Sequence, residues 1–179
     1  EEMVDETDER RVVTRHTPVG VVGAIVPWNF PILLAIWKIA PALMAGCTII
    51  VKPSPYTPLC DLKIVELAQQ AFPAGVLSAV SGGDDLGKWM TAHPDINKIA
   101  FTGSTETGRH VMRSAAGTIK RVTLELGGND PAIVMADVDA KAIAPQLFWA
   151  AFQNNAQFCT LTKSLYSHSD GYADARWDV

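Results

Sequence analysis

Hydrophobic positions along the chain fall into two alternating kinds of segment, short β-branched runs and longer runs with helical spacing. The β-branched runs predict buried strands, at 19–26, 48–51, 76–80, 98–102, 122–126 and 132–135. The helical runs begin at prolines or small polar residues that favour helix starts, and they cover about 31–45, 57–71, 104–115 and 137–152, with one more after 83. This rhythm predicts an α/β fold, a Rossmann-like and mainly parallel sheet flanked by helices.

An unusual turn follows each of the first five strands. The turns are Pro-Trp-Asn-Phe-Pro at 27–31, Lys-Pro-Ser-Pro at 52–55, Ser-Gly-Gly at 81–83, Phe-Thr-Gly-Ser at 101–104 and Glu-Leu-Gly-Gly at 125–128. Two of the following helices have predicted caps, Asp84 or Asp85 for one and Ser104 or Thr105 for the other. Because parallel sheets bind ligands at the carboxyl ends of their strands, one edge of the sheet should collect the functional residues.

The length of 179 residues suits one well-cored domain. We expect an N-terminal arm or edge strand at 1–17, a dinucleotide-binding α/β domain at 18–155, and a nucleophile loop with a divergent tail at 156–179. The apolar run at 32–51 is interrupted by Lys38, Pro41 and Gly46. A buried helix followed by a buried strand therefore explains it better than a membrane span does.

Composition narrows the possible partners. Hydrophobic residues make up 48% of the chain, charged residues 19%, and the net charge is −4, so nothing indicates binding to nucleic acid or to an anionic membrane. The three cysteines have neither disulfide-framework nor zinc-ligand spacing. A reducing compartment, the cytoplasm, and the absence of a bound metal are therefore expected.

A carboxylate and a thiol are the first candidates for chemistry. Glu125 ends a predicted strand at a glycine pair, and Cys159 follows a helix-length interval later. A thiol nucleophile needs a base close in space, although a strand-end acid and a buried cysteine would give the same pattern. Asn29 lies in a turn fixed by two prolines, where its amide can donate to an oxyanion or simply stabilise the turn.

Two further turns are candidates for a cofactor. Gly103 and Gly108 flank a strand-to-helix turn, whose backbone amides suit a pyrophosphate, although an ordinary helix start capped by Ser104 would look the same. The standard G-x-G-x-x-G fingerprint is absent. Lys52 ends a strand where it can donate to ribose hydroxyls or to a 2′-phosphate, or can remain solvated.

Five segments together resemble the signature segments of the aldehyde dehydrogenase superfamily, in its order and spacing, over roughly residues 12–168. They are 26–31, 52–54, 101–105, 125–128 and 157–159. The resemblance implies that Cys159 is the nucleophile, Glu125 the general base, and Asn29 with the Cys159 backbone amide the oxyanion hole. It also implies an NAD or NADP site, formed by Val26, Pro27, Trp28, Lys52, Ser54, Gly82, Phe101, Thr102, Gly103, Ser104, Leu126 and Gly127.

The implied function is NAD(P)-dependent oxidation of a small-molecule aldehyde to an acid through a cysteine thioester. Two departures from the family pattern bear on it. Ala156 replaces a glycine before the nucleophile. Pro55 replaces an acidic residue near the ribose, and its loss removes a carboxylate that would repel a 2′-phosphate. We therefore expect binding of NADP⁺ at least as well as NAD⁺.

Members of this superfamily are far longer than this chain. The alternative is a truncated member without redox turnover, acting as a ligand-binding module or a repurposed non-redox enzyme. Aromatic faces around 28–37 and 147–152 should lack cover, which predicts a homo-oligomer with edge pairing at Arg11–Thr14. A fold-back of 166–179, with Tyr172 and Trp177 as plugs, would cover them instead.

Overall fold

A computed structural model describes residues 2–169, and the chain divides into two compact units at the junction of Glu125 and Leu126. The sequence-based division differs, since its boundaries lie at 17 and 155. Within residues 2–169, no helix is both long and apolar enough to cross a membrane. The two units are described separately.

The first unit opens with an antiparallel hairpin of β1 (Glu2–Glu6) and β2 (Arg11–Thr14). The charged sequence predicted only an arm or an edge segment, and the edge pairing expected at Arg11–Thr14 is made with β1 of the same chain. The Thr7 hydroxyl accepts the Arg10 N–H at 3.1 Å and closes the turn. Arg10 Nη2 lies 2.6 Å from Asp5 Oδ2, in an exposed ion pair. Local polar contacts thus stabilise a hairpin that has no hydrophobic pattern.

A five-stranded sheet forms the centre of the first unit. Its strands are β3 (Val21–Ile25), β4 (Thr48–Lys52), β5 (Leu77–Ala79), β6 (Lys98–Thr102) and β7 (Arg121–Glu125). Their spatial order is β5-β4-β3-β6-β7, and every neighbouring pair is parallel. The strand order reverses between β3 and β6, which is where sheets of this kind bind ligands. The predicted Rossmann-like class is confirmed.

Four helices flank this sheet, α1 (Pro31–Met44), α2 (Pro58–Ala68), α3 (Asp84–Ala92) and α4 (Thr105–Ala116). As predicted, Ser104 caps α4, because its hydroxyl accepts the Thr107 N–H at 3.1 Å. The predicted cap of α3 was wrong. Gly83 occupies the cap position without a side-chain bond, and both aspartates lie in the first turn. There they still interact favourably with the helix dipole.

The main core lies between the sheet and the pair α1 and α2. Alternate residues of β3 point into it, and it consists of Val22, Ala24, Val26, Leu34, Ala35, Ile39, Ala42, Cys47, Ile49, Val51, Val65, Leu77 and Ala100. Ile99 and Phe101 of β6 lie on the opposite face of the strand from Ala100 and are also buried. Val111 and Ala115 of α4 are buried as well. A sheet covered on both faces explains why its strands are almost wholly apolar.

The second unit contains β8 (Asp130–Val134), α5 (Ala140–Phe152), a short 3-10 helix (Gln153–Ala156) and β9 (Thr162–Ser167). Strands β8 and β9 pair in parallel, and β9 was not predicted. Asp139 caps α5, since its carboxylate accepts the Lys141 N–H at 3.0 Å. Helix α5 has no buried residue. The Phe148 ring contacts Trp149 edge-to-face and Phe152 at a tilt, and all three rings are exposed.

Candidate active site

The carboxyl ends of the strands lie side by side, as the parallel order requires. Val26 N–H donates to the Lys52 carbonyl at 3.0 Å, immediately beyond the paired residues of β3 and β4. On the other side of the sheet, Gly103 N–H donates to the Glu125 carbonyl at 3.0 Å. These bonds continue the sheet ladder into the turns. The turns after β3, β4, β6 and β7 therefore begin at one edge.

Lys52 is a buried cation at this edge. Its side chain is only 4% exposed, and Nζ donates to the Pro53 carbonyl at 3.4 Å. Burial lowers the pKa of Lys52, and the carboxylate of Asp84 partly opposes that effect. Ser54 is buried beside it, and its hydroxyl accepts the Tyr56 N–H at 3.3 Å. A desolvated ammonium with one long hydrogen bond retains the capacity to donate to a ligand.

The turn from β6 to α4 supplies backbone donors. A Cβ at Gly103 would lie 2.5 Å from the Phe101 ring, so this ring requires glycine there. Ser104 then caps α4, while the first N–H groups of a helix have no partner within it. Gly82, after β5, is constrained similarly, because a Cβ there would lie 2.8 Å from Leu86. A buried cation and a helix N-terminus on one sheet edge fit the phosphates and ribose of a dinucleotide.

The turn from β3 to α1 carries three of the predicted site residues. Pro27 and Asn29 are half-buried, whereas Trp28 is 43% exposed. The Trp28 carbonyl accepts the Thr57 hydroxyl at 3.4 Å, which ties this turn to the start of α2. Pro31 occupies the first turn of α1, where its missing N–H costs nothing. The turn is therefore held from both ends.

Lys38 is a functional candidate that the sequence reasoning did not include. Its Nζ donates to the Thr102 hydroxyl at 2.6 Å. Burial lowers the pKa of Lys38, and the attraction of Glu125 opposes that effect. Lys38 and Glu125 both line a cavity of about 290 Å³ between α1 and the face of the sheet, where Trp37 and Thr123 also contribute. The sequence signal that could have identified Lys38 was a single charged residue in the middle of an apolar helix.

Glu125 itself is exposed at the end of β7. It follows Arg121 and Thr123 on the solvent-facing side of that strand, because alternate residues of a strand share a face. The predicted base is thus accessible to water, and its carboxylate attracts the Lys38 ammonium. Leu126 and Gly127 follow it and belong to the second unit.

Cys159 also belongs to the second unit, where it is half-buried. Its carbonyl oxygen accepts Lys163 Nζ at 3.0 Å, and a Cβ at Gly128 would lie 3.2 Å from the same oxygen. The absence of a side chain at Gly128 thus allows the loop that carries Cys159 to approach. Asn29 and Glu125 lie in the first unit, so the structure groups Glu125 with Lys38 and Thr102, and groups Cys159 with Gly128 and Lys163.

The segment before Cys159 has an unusual backbone. Asn154, Asn155 and Ala156 have φ angles of 50°, 54° and 59°, three consecutive residues in the left-handed region. Asparagine tolerates this region, but alanine does so at a cost of about 1–2 kcal/mol. The alanine at 156, where the family pattern has glycine, is therefore a strained position.

Comparison with known proteins identifies the family of this chain. Residues 1–177 match the family model described as the aldehyde dehydrogenase family. The chain belongs to the aldehyde dehydrogenase family. It is 46% identical over 170 residues to aldehyde dehydrogenase LUC3 of a Fusarium species. The aligned region covers 95% of this chain and 36% of that protein.

Solved structures of aldehyde dehydrogenases and of an NADP dependent enzyme have a fold similar to that of this chain. An NADP dependent enzyme of E. coli superposes with a TM-score of 0.93 at 39% identity, over 97% of this chain and 37% of that one. The aldehyde dehydrogenase of Mycobacterium tuberculosis, complexed with NAD⁺, gives a TM-score of 0.85 at 46% identity, over 88% of this chain and 33% of that one. This chain therefore spans about a third of the length of these family members.

Proposed function

We propose that this chain carries the cofactor edge and the nucleophile of an enzyme that oxidises an aldehyde to an acid with NAD⁺ or NADP⁺. The observation that carries the proposal is the sheet edge itself. There a buried lysine, a capped helix N-terminus and an accessible carboxylate lie at the carboxyl ends of β4, β6 and β7, three parallel strands of one sheet, in a chain whose family relatives are aldehyde dehydrogenases.

Each residue has a chemical role in this proposal. The Cys159 thiolate attacks the aldehyde carbonyl, and the Asn29 amide with the Cys159 N–H holds the resulting oxyanion. Lys52, Ser104 and the α4 N-terminus would hold the dinucleotide, which supplies the hydride acceptor. Glu125 then takes a proton from the water that releases the acid from the thioester.

Single-turnover chemistry tests this proposal. The chain is mixed with propanal and NAD⁺ or NADP⁺, quenched with acid, and mapped by peptide mass spectrometry. We expect a propanoyl group on Cys159 together with an equal amount of reduced nicotinamide. Cys159→Ala should give neither product, while Cys60→Ser, which removes the exposed thiol, should give both. Reduced nicotinamide from Cys159→Ala would refute the role of Cys159.

A second candidate function is ligand binding without redox turnover. It would use the same sheet edge, where Lys52 is buried and Ser104 caps the start of α4. Calorimetry distinguishes the two. Binding of the dinucleotide without acylation of Cys159 would support a binding module, and acylation of Cys159 would exclude it.

The proposed partners are a small aldehyde and a second copy of this chain. Helix α5 exposes Phe148, Trp149 and Phe152 by 58%, 64% and 57%, and α1 exposes Trp37 by 61%. Such aromatic faces are rarely left open in soluble monomers. Sedimentation at micromolar concentration should show a dimer or larger assembly that Trp149→Glu dissociates. A wild-type monomer would refute self-association. The alternative plugs, Tyr172 and Trp177, lie outside the described residues.

We also propose a reducing compartment, the cytoplasm, as the site of action. Cys47, Cys60 and Cys159 are all free thiols, and the proposed chemistry needs the last of them reduced. Thiol trapping in intact cells should find Cys159 reduced, and a stable disulfide at that position would contradict this location.

A further inference from the structure

The Lys163 ammonium donates hydrogen bonds to three backbone carbonyls of the loop that carries Cys159. Its Nζ lies 3.4 Å from the Phe158 oxygen, 3.0 Å from the Cys159 oxygen and 3.3 Å from the Leu161 oxygen. A lysine ammonium has three donors, so this contact uses all of them. Lys163 is on β9, which is anchored by its parallel pairing with β8. The loop is therefore tied to a strand by a charged group.

Two of these carbonyls determine the conformation of Cys159 itself. The Phe158 oxygen belongs to the peptide plane before the Cys159 Cα atom, and the Cys159 oxygen to the plane after it. Holding both planes restricts φ and ψ of Cys159, because a planar peptide leaves only those two soft angles. The direction of its Cα–Cβ bond, and hence the origin of the thiol side chain, is restricted with them.

The same bond directs the predicted oxyanion donor. Residues 2–169 contain no cis peptide, and in a trans peptide the C=O and the N–H point in opposite directions. Since the Phe158 carbonyl faces Lys163, the Cys159 N–H points away from it. A hydrogen bond to a carbonyl oxygen also polarises the peptide and strengthens its N–H as a donor. Lys163 thus both aims and polarises this N–H group.

We propose that Lys163 is a positioning residue for the aldehyde chemistry of Cys159, acting by clamping the two peptides that flank the nucleophile. This inference rests on the proposed function, in which the Cys159 N–H stabilises an oxyanion. Lys163 touches neither the thiol nor the substrate in this role. Its contribution should therefore appear in addition to a carbonyl, where the oxygen on the attacked carbon accepts the Cys159 N–H, and should be absent where the attacked carbon carries no oxygen.

Reversible addition of isotope-labelled propanal provides the test. The Cys159 sulfur forms a bond to the aldehyde carbon, the carbonyl π bond opens, and the proton released by the thiol ends on the oxygen, which gives a thiohemiacetal. Carbon NMR of the full chain gives the dissociation constant of this adduct. Alkylation of Cys159 by iodoacetamide, a displacement of iodide that forms no oxyanion, is the comparison reaction. The variants are Lys163→Met, Lys163→Arg and the matched control Lys63→Met, which removes an exposed helix lysine of the first unit.

We expect Lys163→Met to weaken the propanal adduct on the order of tenfold while the alkylation rate changes by less than about threefold, since bonds from charged donors are the stronger class. Lys163→Arg should retain most of the adduct affinity, and Lys63→Met should match wild type. Unchanged adduct affinity in Lys163→Met would overturn the proposal. So would equal losses in both reactions, which indicate general loosening of the loop. A wild-type chain that forms no adduct at Cys159 would refute the proposed function as well, so the two failures are distinguishable.

Discussion

Lys38 Nζ lies 2.6 Å from the hydroxyl oxygen of Thr102, and this bond joins the middle of α1 to the carboxyl end of β6. The lysine is half-buried, and Glu125 attracts its charge. A helix and a strand end are thus connected beside the predicted base. The contact joins two side chains that lie 64 positions apart in the sequence.

A double-mutant cycle should reveal this contact. Lys38→Met and Thr102→Val each remove one partner, and because a charged donor is involved we expect a coupling free energy of about 1 kcal/mol from urea unfolding. The exposed pair Lys63 and Glu66, at 2.7 Å, is the control and should couple more weakly. A coupling free energy for Lys38 and Thr102 no larger than that of the control would mean that this bond stabilises the fold no more than an exposed ion pair does.

Asp61 should make the protein less stable as the pH rises. It is 1% exposed, and neither carboxylate oxygen has a hydrogen-bond partner among residues 2–169. Burial raises its pKa from 3.8 to about 6. The unfolded state therefore loses its proton first, so folded stability declines as the pH rises from about 4 to beyond 6. Two pKa units correspond to an upper limit of about 3 kcal/mol.

Asp61→Asn removes this titration. Relative to wild type, the variant should gain stability between pH 5 and pH 7, as measured by urea unfolding at each pH. Glu66→Gln on the same helix is the control, because that carboxylate is exposed and should show no such gain. A difference between wild type and Asp61→Asn that does not grow with pH would show that Asp61 is not buried in the protonated form.

Ala156→Gly should stabilise the nucleophile loop. The alanine has a φ of 59°, which costs an L-residue energy that glycine does not incur. Glycine also has the greater conformational entropy in the unfolded state, which offsets part of this effect. The free energy of unfolding should therefore rise by about 0.5–1 kcal/mol. Ala150→Gly, in the exposed part of α5, should lose a similar amount because its backbone is helical. Equal effects of the two substitutions would exclude strain at 156.

Asp84 should influence the choice between NAD⁺ and NADP⁺. The sequence expectation of ready NADP⁺ binding used Lys52 and the absence of an acid at Pro55. The structure adds a carboxylate, Asp84, that interacts with the Lys52 charge. Because a carboxylate repels a 2′-phosphate, Asp84→Asn should raise the ratio of NADP⁺ to NAD⁺ affinity by about threefold in calorimetry. Asp85→Asn is the control, since Asp85 pairs with Lys88 at 2.9 Å, and an equal shift there would contradict a specific role for Asp84.

Cys159 should react with a limiting alkylator before the other two thiols. Accessibility alone favours Cys60, which is exposed, whereas Cys159 is half-buried and Cys47 is buried. Thiol reactivity follows the fraction of thiolate and not exposure alone, so a nucleophile suited to attack should react first. Peptide mapping after brief iodoacetamide treatment measures the order. Faster labelling of Cys60 in the native chain would argue against Cys159 as the nucleophile.

The sequence by itself determined the succession of strands and helices, the parallel class of the sheet and the family. β-branched runs and Pro or Gly turns act over a few residues, so the positions of β3 to β8 and the Ser104 cap could be read locally. The turns therefore fell at the correct ends of the strands. Edge pairing was expected for Arg11–Thr14, but its partner β1 had no such signal, since their hairpin depends on ion pairs and a Thr7 turn in a charged segment.

The tertiary structure decided which polar groups lose contact with water and which meet. Lys38 and Thr102 are 64 positions apart, and Asp61 gives no sequence sign of its burial. Desolvation and hydrogen bonding depend on distances through space, which a local pattern does not encode. These contacts therefore emerged only when the packed chain brought distant segments together.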